Sequence, residues 1–235
     1  MTPPLANRVA VVTGGTGALG QAVTLRLLAD GAAVEIPYAV EQERAVLADR
    51  VPKGESVRLT MTHVDVTDDA AMTAFADAVR RRHGRIDILV ALVGGFAGGG
   101  LVDTDRATWD RMLALNLTSV YTSARAIVPH MAARRHGRVI VTGSRSVVPP
   151  TGGFIAYTVA KSGVIAFAQA LAAEFRPHGV TVNAVLPSTM DTPANRAAMP
   201  NADPKTWVPV ESVAAAIALL CRDDAAHVTG SLVRV

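Results

Sequence analysis

Short apolar runs alternate with amphipathic stretches along almost the whole chain. Val9-Ala10-Val11-Val12 is an uninterrupted apolar run of the kind a strand shows when both its faces are buried. After a glycine-rich turn, Ala18, Leu19, Ala22, Val23, Leu25, Leu27 and Leu28 supply the apolar positions of a helix, which Asp30-Gly31 ends before a second run over 32–36. The same alternation predicts strands over 56–64, 86–93, 137–142, 180–186 and 231–235. Helices are expected over 68–83, 108–131, 157–175 and 210–220. Repeated strand–helix units of this length predict an α/β fold, a single doubly wound parallel sheet with helices on both faces. Two segments break the rhythm: 94–100 is too glycine-rich for a helix, and 188–208 carries three prolines. Both are expected to be substrate loops at the ligand-binding edge of the sheet.

The turn between the first strand and the first helix reads Thr13-Gly14-Gly15-Thr16-Gly17-Ala18-Leu19-Gly20. Glycines at 14, 17 and 20 let the backbone turn tightly, approach a pyrophosphate and aim helix N-terminal N–H groups at it, which makes the sheet Rossmann-type. An ordinary glycine-rich turn would use the same residues, and the flanking strand and helix favour the nucleotide reading. Further along, Tyr157 and Lys161 are four residues apart in a predicted helix, so phenol and ammonium lie on one face. A neighbouring cation favours the phenolate and moves a tyrosine, normally near pH ~10, toward proton exchange at neutrality. Ser144 precedes Tyr157 by thirteen positions.

With 235 residues, half of them hydrophobic, the chain can bury one substantial core, and 1–235 is expected to be a single dinucleotide-binding and catalytic domain. The single cysteine, Cys221, rules out an intramolecular disulfide framework and fits a reducing compartment as a small buried residue. No cleavable leader and no run of ~18 uninterrupted apolar residues stands out, so the expectation is a cytoplasmic protein with no membrane contact. Net charge is +3. The basic clusters Arg80-Arg81-Arg82-His83 and Arg134-Arg135-His136 fall at predicted helix C-termini, where cations complement the dipole, and no aromatic–basic interleaving points to nucleic acid. No metal site is expected.

Together, the glycine turn, the alternating units and Ser144, Tyr157 and Lys161 resemble the short-chain dehydrogenase/reductase family across essentially the whole chain. Asn116 in Leu115-Asn116-Leu117-Thr118, Asp65-Val66, and Asn183-Ala184-Val185-Leu186-Pro187 extend the resemblance. It implies that Tyr157 donates a proton to a carbonyl oxygen, Ser144 holds that oxygen, and Lys161 lowers the tyrosine pKa and binds the nicotinamide ribose. Asn116 would help hold a proton-relay water, although a helix-interior asparagine that caps a kink would look the same. Cofactor contacts are implied for Gly14, Thr16, Gly17, Leu19, Gly20, Tyr38, Asp65, Val66, Gly94, Gly95, Pro187, Met190 and Thr192. Ser146, eleven residues before Tyr157, fits the pattern less well and is given no role.

Several departures point to one branch. Ala18 stands where a turn glycine is usual, Ser188 follows Pro187, and 91–99 replaces an asparagine-rich segment. The glycine turn, the loop Gly94-Gly95-Phe96-Ala97-Gly98-Gly99 and the run from Leu186 through Pro200 resemble dihydropteridine reductase, a branch that reduces quinonoid dihydropterins and generally lacks the serine kept here at Ser144. A retained serine suits an ordinary ketone or aldehyde, whose developing alkoxide gains from a second donor.

At the end of the second strand an acidic residue would bind the ribose 2′-hydroxyl of NAD, and a cation the 2′-phosphate of NADP. This chain has Tyr38, with Glu41 and Arg44 nearby, so NAD(P)H is implied with a slight tilt to NADPH. The functional expectation is carbonyl reduction. Its alternatives are pterin reduction and a non-catalytic dinucleotide sensor. A homodimer or homotetramer is implied by the resemblance, and Ile165, Ala166, Ala168, Ala170, Leu171 and Ala172 make the second long helix apolar on more than one face. Phe96, Phe154, Met190, Met199 and Trp207 are candidates either to line the substrate pocket or to pack in the core.

Overall fold

The computed structural model describes residues 2–235. Seven strands form one all-parallel sheet: β1 (Val9–Thr13), β2 (Ala33–Tyr38), β3 (Leu59–His63), β4 (Ile88–Ala91), β5 (Gly137–Thr142), β6 (Val180–Leu186) and β7 (Leu232–Arg234). Their spatial order is β3-β2-β1-β4-β5-β6-β7. The helices are α1 (Ala18–Ala29), α2 (Glu41–Arg50), α3 (Asp69–His83), α4 (Arg106–Leu113), α5 (Ser119–Ala133), α6 (Ile155–Phe175), α7 (Pro193–Ala198) and α8 (Val210–Leu220).

Side-chain alternation splits the apolar runs between two cores. Val9 and Val11 of β1 and Leu89 and Ala91 of β4 face Met72, Phe75, Ile127 and Val164. Ala10, Val12, Ile88 and Val90 face the other way, onto Leu19, Val23, Leu27, Val213 and Ile217. The sheet is therefore doubly wound, and strand order reverses between β1 and β4, where the crevice beyond the strand C-termini takes a ligand in such folds.

Several boundaries differ from the sequence expectation, each for a local reason. Residues Ser56–Arg58 make a tight 3₁₀ turn, so β3 starts only at Leu59. The helix expected over 108–131 is interrupted at Ala114–Thr118 by a π-helical turn. There Asn116 Nδ2 donates to the Met112 carbonyl at 3.0 Å and to the Gly95 carbonyl at 3.1 Å, and its Oδ1 accepts from Gly95 N–H at 3.2 Å. Part of the loop over 188–208 is helical. Pro193 opens α7 at a position where a missing N–H costs nothing, Thr192 caps it, and Pro204–Thr206 form a further 3₁₀ turn. Residues 94–100 contain no helix.

Part of the basic cluster at the end of α3 is used within the fold. Arg82 Nη1 donates to both oxygens of Glu35 at 2.7 and 2.8 Å, and His83 Nε2 lies 2.7 Å from Glu35 Oε1. Glu35 is buried on β2, so these partners are what make its burial tolerable. At the strand N-termini, opposite the crevice, buried Asp87 accepts from Val9 N–H at 2.9 Å and from Arg85. The stretch Ile155–His178 is long and apolar enough by composition to cross a membrane. In this fold Ala156, Ala160, Lys161, Val164, Ile165, Ala168 and Ala172 of that stretch are buried, several of them against β6.

Of the glycines at 14, 17 and 20, the first and last are required by backbone contacts and the middle one is not. Gly14 has φ +68°, and a Cβ there would lie 2.9 Å from Val93 N. A Cβ on Gly20 would fall 1.9 Å from the Gly14 carbonyl oxygen, so α1 packs directly on the turn backbone. On Gly17 a methyl meets nothing closer than 3.5 Å. Gly20→Ala is expected to cost about 3 kcal/mol in urea unfolding, because backbone must move. Gly17→Ala should cost no more than about 1 kcal/mol, the loss of a tolerant N-cap residue.

Candidate active site

Ser144, Tyr157, Lys161 and Asn116 converge at the C-terminal edge of the sheet. Ser144 lies just beyond β5, almost buried, and Tyr157 and Lys161 sit one turn apart near the start of α6. Lys161 Nζ donates to the Thr142 carbonyl at 2.8 Å. Gly94 closes the group from the loop after β4: a Cβ there would lie 2.7 Å from Asn116 Oδ1 and 3.3 Å from Lys161 Nζ. Only a residue without a side chain lets the asparagine amide and the lysine ammonium meet at that backbone. The π turn is what aims Asn116 at it, so the kink-capping geometry and the site geometry are one arrangement.

The electrostatics differ from the sequence expectation. Burial pushes the Tyr157 phenol above its ordinary value, and a hydrogen bond with the Ser144 side chain pulls it partly back. Lys161, engaged with the Thr142 carbonyl, does not lower it. Tyr157 is therefore protonated at neutral pH, the form a proton donor needs. Lys161 itself is drawn down to about 8 by burial. Ser144 Oγ lies 2.8 Å from Ser146 Oγ, so Ser146, given no role from the sequence, orients the Ser144 hydroxyl. Only its Ser-x-Ser spacing from Ser144 could have hinted at this.

Three aromatic rings meet over the phenol. The Phe96 ring stands edge-on to Tyr157 with centroids 5.1 Å apart, and Phe154 lies 6.1 Å from Tyr157 and 5.7 Å from Phe96. Phe96 is largely exposed, so this lip is open to a substrate. Met199 is exposed, while Met190 and Trp207 are half-buried in the segment after β6.

The predicted dinucleotide residues lie along the same edge. Gly14, Thr16, Gly17, Leu19 and Gly20 form the β1–α1 turn, with Gly17 as N-cap and no side chain capping the N–H groups of the first turn of α1. Those free donors, the backbone clearance at Gly14 and Gly20, and the absence of an acidic residue in that turn fit a pyrophosphate. Tyr38 ends β2, its ring edge-on to His63 and 5.9 Å below the Arg44 guanidinium, which is itself paired with Glu41. Asp65 follows β3 and accepts from Thr67 N–H at 2.8 Å and Thr67 Oγ1 at 2.7 Å, bonds that hold its carboxyl below the ordinary range. Val66 is buried. Gly94 and Gly95 border Asn116, and buried Pro187 accepts from Arg145 N–H at 3.0 Å. The Met190 carbonyl accepts from Asn195 Nδ2 at 2.8 Å, and Thr192 Oγ1 accepts from Asn195 N–H at 3.2 Å, so this hydroxyl already caps α7. Glu43, absent from the sequence expectation, accepts a hydrogen bond from Thr16 Oγ1 at 3.0 Å.

A family model described as short chain dehydrogenase matches residues 8–203. The chain is 33% identical over 246 residues to dehydrogenase/reductase SDR family member 4 of Pongo abelii, covering 99% of this chain and 87% of that one. It is 31% identical over 238 residues to the 3-oxoacyl-(acyl-carrier-protein) reductase FabG of Escherichia coli strain K12, covering 97% and 96%. Among solved structures, levodione reductase superimposes with a TM-score of 0.88 at 26% identity, covering 98% of this chain and 96% of that one.

The buried ammonium has a measurable consequence. Because burial lowers the folded-state pKa of Lys161 from 10.5 to about 8, the unfolded chain binds more protons between those values and stability rises with pH across that window. The penalty, of order 3 kcal/mol, is complete below about 8 and gone above 10.5. Lys161→Met is therefore expected to be more stable than the parent in urea unfolding at pH 7, with the gap closing by pH 10.

Proposed function

This chain belongs to the short-chain dehydrogenase family, and on that premise we propose that it is an NAD(P)H-dependent carbonyl reductase in which Tyr157 is the proton donor. One observation carries the reading: Ser144, near enough to the Tyr157 phenol to draw its pKa down, sits with Lys161 and Asn116 at the edge where the uncapped start of α1 opens. The nicotinamide cofactor supplies the hydride. Everything else falls to this chain. Ser144 Oγ, held by Ser146, donates to the substrate oxygen, and Tyr157 delivers a proton to it as charge develops. Hydride and proton together complete the two-electron reduction to an alcohol. Lys161 holds the cofactor ribose and places positive charge near the phenol, and Asn116 fixes the Gly95 backbone that walls the site.

The aromatic lip of Phe96 and Phe154 favours a substrate with a flat or apolar body next to the carbonyl. A pterin ring is flat as well, so pterin reduction remains the second reading, supported by this lip and by the glycine loop over 94–99. Ser144 weighs for the carbonyl. A protein that only senses dinucleotides has no use for a positioned proton donor. We further propose a homo-oligomer, supported by the exposed apolar residues Tyr121 on α5 and Val159 on α6, and a cytoplasmic location, supported by the buried free thiol of Cys221.

Purified protein is expected to oxidise NADH or NADPH with a ketone or diketone from a panel that also holds acyl thioesters and quinonoid dihydropterin. Tyr157→Phe should lower kcat by about 10²- to 10⁴-fold with cofactor binding intact. Reaction with the pterin alone would favour the second reading. Tight cofactor binding without turnover on any member would favour the sensor. On the carbonyl reading, Phe96→Ala should raise KM several-fold for cyclic or aryl ketones and leave small aliphatic ketones nearly unchanged.

A further inference from the structure

We infer that Glu43 makes this chain select NADH over NADPH, by holding a carboxylate against the glycine turn where a 2′-phosphate would have to sit. The inference rests on the dinucleotide reading given above. In folds of this class the adenosine ribose lies between the glycine turn and the end of the second strand, where a carboxylate serves a free 2′-hydroxyl and a cation serves a 2′-phosphate. Here Tyr38 ends β2 and offers neither charge. The charge comes instead from the first turn of α2, whose Glu43 reaches across to Thr16 Oγ1 at 3.0 Å. Thr16 is buried within the turn, so this hydrogen bond ties the exposed Glu43 carboxylate to the rim of the cradle.

The cations that might offset it are already engaged. Arg44 donates to Glu41 through Nε at 2.6 Å and lies above the Tyr38 ring. Arg50, at the far end of α2, donates to Gln21 Oε1 on α1 at 2.6 Å. The ribose margin thus presents Glu43 and Glu41 against one guanidinium that Glu41 already holds. A ribose diol can donate to such a margin. A phosphate dianion can only be repelled, and a single uncompensated contact between like charges at about 4 Å changes affinity by roughly 5-fold in water and by ~10³-fold at the lower effective dielectric of a protein surface. The slight tilt to NADPH drawn from the sequence counted Tyr38, Glu41 and Arg44 only. Glu43 reverses it.

Equilibrium binding, independent of turnover, tests this. Isothermal titration of the protein with NAD⁺ and NADP⁺ is expected to show NAD⁺ at least about tenfold tighter. The ratio should narrow as sodium chloride is raised, because salt screens the repulsion. Glu43→Gln should tighten NADP⁺ and leave NAD⁺ within a few-fold, and Glu43→Lys should invert the preference. Thermal melting monitors folding of each variant, and Glu43 is exposed enough for both to fold. NADP⁺ binding as tightly as NAD⁺ to the parent, or a ratio unmoved in Glu43→Gln, would overturn the inference. If neither dinucleotide binds, the reductase reading falls, and this inference with it.

Discussion

Everything at the site depends on how closely three pieces of backbone approach at the point where the strand order reverses. Gly14 lies against Val93, and Gly20 against Gly14 and Gly15, with no room for a methyl group at either position. That contact seats α1 on the sheet with its N-terminus open, and it holds the chain leaving β4 next to the turn. Gly94 then follows directly, and its missing side chain lets Asn116 and Lys161 reach the same backbone. The proposed phosphate cradle and the proposed catalytic cluster are thus parts of one glycine-lined seam, built by the sheet's reversal between β1 and β4.

Around that seam the side chains set up opposed protonation preferences. Burial favours the protonated phenol at Tyr157 and disfavours the protonated amine at Lys161. A neutral donor beside an ammonium that is costly to keep charged is a strained ground state, and the Thr142 carbonyl offsets only part of the strain. Active sites commonly trade stability for chemistry in this way, and on the proposed function Lys161 is where this fold would do so. Farther out, charge is handled conservatively: Glu35 and Asp87 are buried but multiply paired, which keeps the strand ends fixed away from the chemistry.

Much of this is legible in the amino-acid order because the strands are short, apolar and buried on both faces. β5, β6 and α8 have the expected bounds, since Gly137, Gly179 and Pro209 punctuate them. The break at Asn116 was not legible as a π turn, because it depends on the Gly95 backbone twenty-one positions away. α7 was hidden by prolines that read as loop residues, although Pro193 occupies a position that favours them. At the site, the pairing of Tyr157 and Lys161 follows from local helical spacing, and Ser144 joins them through the family resemblance. The tyrosine's charge state does not follow from spacing, because burial pushes the phenol up and only Ser144, not the lysine, pulls it back. Glu43 did not stand out in the sequence, and Ser146 was given no role there, for the same reason that Glu35 did not stand out: their roles come from partners that only the fold supplies.

The central claim is that this edge of the sheet carries out hydride transfer to a carbonyl. Incubating the protein with NADH deuterated at the transferring position of the nicotinamide, together with a cyclic diketone, and weighing the product by mass spectrometry tests it directly. The account predicts an alcohol carrying one deuterium on its former carbonyl carbon. An alcohol without the label, or no alcohol from any carbonyl while the dinucleotide is bound, would contradict it.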